Sequence, residues 1–153
     1  MQQKRFNITP ASYLILKKGN KILMLRRFNT DYQNGKYSFI AGHLDGKESF
    51  TQAAIREAKE EAGIIVKQKD LKAVHIMNRY VAKNDPGLKE RVDVFFMVKK
   101  WQGEIKNMEP NKCDDLSWFD VNKLPKNTIP YIHQVVKNIK KGIFYSEFGY
   151  QIK

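Results

Sequence analysis

Glu57, Glu60 and Glu61 follow Arg56 in the run REAKEE, and Glu48 stands eight residues before that arginine. On a helix, positions i, i+3 and i+4 share one side, so these three carboxylates would crowd together. Clustered carboxylates repel one another, and a fold that keeps them close usually supplies a cation. Magnesium suits such a site because it takes oxygen ligands from a few carboxylates, water and substrate phosphates. A cation held there would neutralise phosphate charge, align a diphosphate and lower the pKa of a bound water. Arg56 is out of phase with the three glutamates. Its planar fork is suited to gripping Glu48 or a neighbouring carboxylate through two parallel hydrogen bonds.

The elements that must position these groups have local signals of their own. Ser49-Phe50-Thr51-Gln52 has the form of a capping box, and Gly63 suits the left-handed position just past a helix end. A helix over about 49–62 follows, with Thr51, Ile55, Ala58 and Ala62 as the stripe facing the core and the glutamates on roughly the opposite face. Strands are expected over residues 8–17 and 21–27, with Gly19-Asn20 as the turn between them, then a short strand at 37–40. Further strands are expected over about 65–82 and 91–101, and shorter ones at 104–106 and 116–119. Asn84-Asp85-Pro86-Gly87 reads as a turn. Ile132, Val135, Val136 and Ile139 are spaced for a second helix at about 129–140. Strands around two helices describe a mixed α/β sandwich.

The stretch of residues 42–64, GHLDGKESFTQAAIREAKEEAGI, resembles the signature of the Nudix (MutT-like) hydrolases at every fixed position: Gly42, Glu48, Arg56, Glu57, Glu60, Glu61 and Gly63, with apolar Ala58 and Ile64. A match spread over 23 residues is far more specific than a short phosphate-loop pattern. The resemblance implies a Nudix fold, a mixed β-sheet sandwiched between α-helices. It also implies a hydrolase that cleaves a diphosphate bond in a nucleoside triphosphate, ordinary or oxidised, or in another nucleoside-diphosphate-linked compound, using Mg2+ or Mn2+. By the same resemblance Glu57, Glu60 and Glu61 are metal ligands, and the backbone carbonyl of Ala41 completes the site. Glu109, in the segment NMEPNKCDDLSWF, is the candidate for a further ligand or base from a later loop. Either Glu60 or Glu109 would take the proton from the attacking water. Gly42, Glu48 and Gly63 would support the site. One departure is visible: Ile40 stands where these proteins often carry proline, which bears on loop rigidity more than on chemistry.

Other residues carry weaker signals. Arg26, Arg27, His43 and Arg79 are candidates for substrate contact, set against the plainer reading of solvated strand edges and a hydrogen-bonded loop histidine. His75 alternates with apolar neighbours and reads as structural, His133 as exposed, Cys113 as a packed thiol, and Trp118 and Phe119 as core. A length of 153 residues with 42% hydrophobic content fits one globular domain over 1–153. A single cysteine allows no internal disulfide, and no apolar run approaches the ~20 residues needed to span a bilayer, so the expected location is cytoplasmic. The net charge of +12 favours an anionic partner. The lysines are scattered, which favours an ordinary solvated surface, and charge alone supports no specific claim for RNA. RNA 5′-end hydrolysis and non-catalytic nucleotide sensing are the alternatives, and oligomeric state, a homodimer included, is left open.

Overall fold

The computed structural model of the chain describes residues 3–81 and 90–151. The turn expected at Asn84-Asp85-Pro86-Gly87 lies outside the described residues. In order, the elements are β1 (Thr9–Lys18), β2 (Lys21–Arg27), β3 (Tyr37–Ser38), β4 (Ile40–His43), α1 (Phe50–Ala62), a 3₁₀ turn at Gln68–Asp70, β5 (Leu71–Tyr80), β6 (Glu90–Val98), β7 (Cys113–Asp120), α2 (Pro130–Lys140) and β8 (Tyr145–Phe148).

The strands form one mixed sheet in the order β3-β2-β1-β6-β5-β8, with β4 pairing β1 and β7 pairing β2. β1 is its hub, parallel to β6 and antiparallel to β4 and β2. Because strand side chains alternate between faces, β1 serves two cores at once. Tyr13 and Ile15 pack with Met77, Phe95 and the α2 residues Ile132 and Val135. Leu14 and Leu16 pack with Val94, Phe96 and the α1 residues Ala54, Ala58 and Ala62. The helices therefore cover opposite faces, as the sandwich expectation requires. Val94, Phe95 and Phe96 are all buried, which explains the continuous apolar run in β6.

The helix boundaries follow the local signals. Ser49 caps α1 by accepting from the Gln52 N–H, while the Gln52 side chain accepts from the Ser49 N–H at 2.8 Å. Gly63 ends it at φ 68°, ψ 17°. The expected stripe is corrected, however. The structure buries Ala53, Ala54, Glu57, Ala58 and Ala62, and leaves Thr51 and Ile55 only half-buried. Alanines are small enough to face either way, and their small size lets α1 approach the sheet closely. The arc turned towards the sheet thus carries Glu57 and Glu61 inward.

Two further expectations change. No strand forms at residues 104–106. Gln102 makes a single bridge to Ile65, and Gly103 at φ 93° turns the chain into a loop reaching β7. β8 was not foreseen: it adds in parallel to β5, anchored by fully buried His75, whose ring nitrogens bond the Ile143 carbonyl and the Ser146 hydroxyl, both at 2.8 Å. His133 is exposed and Cys113 is buried, as expected. Trp118 and Phe119 pack half-buried against opposite cores. Replacing Ser49 with Ala should lower unfolding free energy by about 1 kcal/mol in a denaturant titration, leaving the m-value unchanged.

Candidate functional site

The site forms where α1 crosses β4. Ser12 of β1, fully buried, donates to the Phe50 carbonyl at 2.7 Å and ties the start of α1 to the sheet. β4 pairs with β1 through Ala41–Tyr13 and Gly42–Ser12. The Ala41 N–H donates to the Glu61 carboxylate. In an antiparallel ladder a residue's N–H and C=O point to the same side, so the Ala41 carbonyl also faces α1. Gly42 makes room for a carboxylate: a Cβ there would stand 1.8 Å from Glu57 Oε1 and would displace that head group. A glycine at the start of the motif therefore leaves Glu57 where Arg56 holds it.

Arg56 ties the acidic groups together. Its Nη2 and Nε donate to the two oxygens of Glu48 at 2.7 and 3.2 Å, the two-bond grip expected from sequence. Its Nη1 donates to Glu57 Oε1 at 2.6 Å and Glu60 Oε2 at 3.2 Å, and Nη2 also donates to the His43 carbonyl at 3.0 Å. Glu48 in turn accepts from the Asp45 N–H at 2.8 Å. The Arg56 bond first, and that N–H second, hold the Glu48 carboxyl below the usual carboxylate range.

Glu57 and Glu61 are in the opposite electrostatic state. Burial pushes the Glu57 carboxyl up in spite of its bond to Arg56. Glu61 is pushed well above its ordinary value, first by burial and then by the charges of Glu57 and Glu109. Its Oε2 is buried and has no hydrogen-bond partner among the described residues. A buried carboxylate oxygen left unpaired is costly, and a cation is the natural partner. Glu60 is half-exposed at the edge. Glu109 comes from the loop before β7, which is held to the end of α1 by the Lys106 and Met108 N–H groups donating to the Ala62 and Glu61 carbonyls. Loop and helix thus bring together Glu109, Glu57 and Glu61. As the side chains stand, no three His, Cys, Asp or Glu groups among the described residues converge tightly enough to cage a cation. Arg56 draws Glu57 and Glu60 onto itself instead.

A cavity of about 330 Å³ opens beside Glu61, with Ala41, Gly42 and His43 on its near wall and Tyr13, Phe39 and Tyr131 among its aromatic lining. It falls at the low end of the range for small-molecule sites. Arg27 and Arg91 also line it, as does Tyr32. Partial burial of the His43 ring, and then neighbouring Arg91, hold its imidazole below the usual range. Arg26 is not part of this wall: it pairs with Asp114 at 2.7 Å on the surface. Arg79 was expected at a strand edge or on the substrate. It is instead 1% exposed, paired with Asp93 at 2.8 Å, its guanidinium 3.9 Å from the Tyr131 ring centre. It therefore supports the cavity from behind.

The NUDIX domain family model matches residues 8–139, most of the chain. The chain belongs to the NUDIX family. An ADP-ribose pyrophosphatase of Methanocaldococcus jannaschii is 31% identical over 128 residues, covering 82% of this chain and 71% of that protein. The NAD-capped RNA hydrolase NudC of Chromobacterium violaceum is 25% identical over 133 residues, covering 86% of this chain. This NUDIX chain spans only 46% of that NudC's length. The fold agrees with a MutT NUDIX hydrolase from Burkholderia pseudomallei, at TM-score 0.77 and 18% identity over 86% of this chain and 98% of that one. A MutT protein from Bacillus halodurans gives 0.74 and 18% over 94% and 91%.

Tyr32, Arg91, Asp93, Tyr13 and Tyr131 are site-lining or site-supporting residues that sequence reasoning missed. They come from β1, β6, a loop and α2, and only Arg91 and Asp93 share an element, two residues apart on β6. The only available signal was a charged Asp93 inside the apolar run of β6. Arg56→Lys should cut turnover of a diphosphate substrate by about 10–100-fold, because an ammonium cannot reproduce the fork that orients Glu48 and Glu57 together. Steady-state kinetics, with circular dichroism to confirm the fold, checks this.

Proposed function

We propose that this protein is a divalent-cation-dependent pyrophosphohydrolase acting on a nucleoside diphosphate linked to another group, with a sugar-linked diphosphate as the first substrate class and nucleoside triphosphates as the second. That the chain is a hydrolase of the NUDIX family follows from the family match. The observation that carries the rest is Glu61, a buried carboxyl that accepts from the Ala41 N–H, meets the side chain of the second buried carboxyl, Glu57, keeps Oε2 without a partner among the described residues, and lines a cavity. The donor set is all oxygen, which suits Mg2+ or Mn2+.

In this reading Glu57, Glu61 and the Ala41 carbonyl hold the cation, and Glu60 joins them on leaving Arg56. When bound, the cation neutralises the diphosphate and lowers the pKa of a water. Arg56, through Glu48, keeps the glutamates oriented. Glu109 or Glu60 accepts the proton from the attacking water. Glu109 is preferred, because Glu60 is taken up as a ligand of the cation. The cavity takes the nucleoside portion. The sugar-linked preference draws on the relative named ADP-ribose pyrophosphatase. RNA 5′ ends form the second reading, supported by the NudC relatives and the net charge of +12. We place the protein, read as a single domain, in the cytoplasm. No helix among the described residues is long and apolar enough to cross a membrane.

Glu61→Gln should lower Mg2+-dependent turnover at least about a hundredfold, the scale of a lost metal contribution of several kcal/mol. The same variant should melt at a higher temperature than wild type in chelator, because a poorly paired buried charge has been removed. Added Mg2+ or Mn2+ should raise the wild-type melting temperature and not that of the variant. A hydrolysis screen over ADP-ribose, nucleoside triphosphates and NAD-capped RNA identifies the substrate. Wild-type turnover by Glu61→Gln would defeat the reading.

A further inference from the structure

The cavity wall carries an arrangement that hydrolysis at the glutamates does not use. The ring centre of Tyr32 stands 5.7 Å from the Arg27 guanidinium and 5.5 Å from that of Arg91. Its hydroxyl accepts from Arg79 Nη1 at 3.1 Å, and its carbonyl accepts from Arg27 Nε at 2.8 Å. Arg79 is itself fixed by Asp93, so the ring is held at ring, hydroxyl and backbone. The loop that presents it, between β2 and β3, carries two non-glycine residues in the left-handed region, Asn29 and Gln33, both at φ 53°. Such conformations persist where surrounding structure enforces them, and they concentrate at ligand clamps. The residue is half-buried and lines the cavity together with Tyr13 and Tyr131.

Aromatic rings flanked by arginines at the mouth of a cavity suit a ligand with a flat π-system at one end and an anion at the other. A cation–π face also stacks on a heteroaromatic base, and both guanidiniums are placed to meet phosphate oxygens. We propose that Tyr32 is a specificity-determining residue that stacks on the base of a nucleoside 5′-phosphate unit, with Arg27 and Arg91 facing its phosphate. This rests on the reading of the site as a nucleoside-diphosphate hydrolase, since it assigns one half of that substrate to the cavity. Tyr32 then selects nucleotides over diphosphates that lack a base.

The test measures binding, without turnover, in chelator. AMP and ribose 5-phosphate share a phosphate and a ribose and differ in the base. Wild type should bind AMP at least about tenfold more tightly than ribose 5-phosphate, the scale of one base stack on an aromatic ring. Tyr32→Ala should lose about that tenfold for AMP and keep its ribose 5-phosphate affinity within about twofold. Tyr32→Phe, which keeps the ring, should stay close to wild type. Tyr32→Leu keeps apolar bulk without a π face and should behave as the alanine variant does, which covers the case where alanine unsettles the loop. In turnover, Tyr32→Ala should raise KM with kcat unchanged. The proposal is overturned if wild type shows no preference for AMP. It is also overturned if a folded Tyr32→Ala or Tyr32→Leu keeps the preference, or if both affinities fall together, as a merely structural ring would give. Failure of the hydrolase reading alone would leave the AMP preference in place and abolish only turnover.

Discussion

The guanidinium of Arg56 is the interaction on which the site depends. One side grips Glu48 with two bonds, and the other meets Glu57 and Glu60 while Nη2 reaches the His43 carbonyl. It therefore ties the loop after β4 to the helix and balances carboxylates that would otherwise push each other apart. Lysine has one compact charge and cannot span these partners. The geometry explains why arginine and the distant Glu48 belong to one motif. Glu48 is spent on orienting Arg56 and stands back from the buried pair, Glu57 and Glu61.

The acidic pair sits in the sheet-facing arc of α1, and this placement has a cost. Burial raises both carboxyls, and Glu61 keeps an oxygen without a partner among the described residues. Such groups lower stability unless something binds them, the pattern expected where function and stability conflict. The surrounding residues limit the damage. Alanines on both sides of the carboxylates keep the helix close to β1 and β4, and Gly42 leaves space for the Glu57 head group. The Arg79–Asp93 ion pair forms a second buried polar layer under the cavity, where Tyr13 and Tyr131 share a hydrogen bond at 2.9 Å. A buried pair of this kind is weak evidence of stability, and its value here is in fixing the cavity wall.

What could be read from the sequence was what is encoded locally. Ser49 with Gln52 sets the start of α1 and Gly63 its end, each through bonds to residues close in the chain, so the helix was legible with its caps. The gripping role of Arg56 was legible because the residue type and its partners lie in one short stretch. The direction of the acidic face was not. Four alanines fit the core or a surface equally well, and contacts with β1 and β4, far away in the chain, decide which way the helix turns. Arg79 looked like an edge residue because its partner, Asp93, lies on the neighbouring strand. Tyr32, Arg91 and β8 escaped for the same reason: each is placed by contacts between segments far apart in the chain.

The central claim is that Glu57, Glu61 and the Ala41 carbonyl form a cation site oriented by Arg56. A crystal of the protein soaked in Mn2+, with diffraction recorded at the manganese absorption edge, tests it most directly. The account predicts an anomalous peak between the glutamates of α1 and the Ala41 carbonyl, with Glu60 drawn off Arg56. A peak only elsewhere on the surface, with Glu61 Oε2 still unpaired, would contradict it.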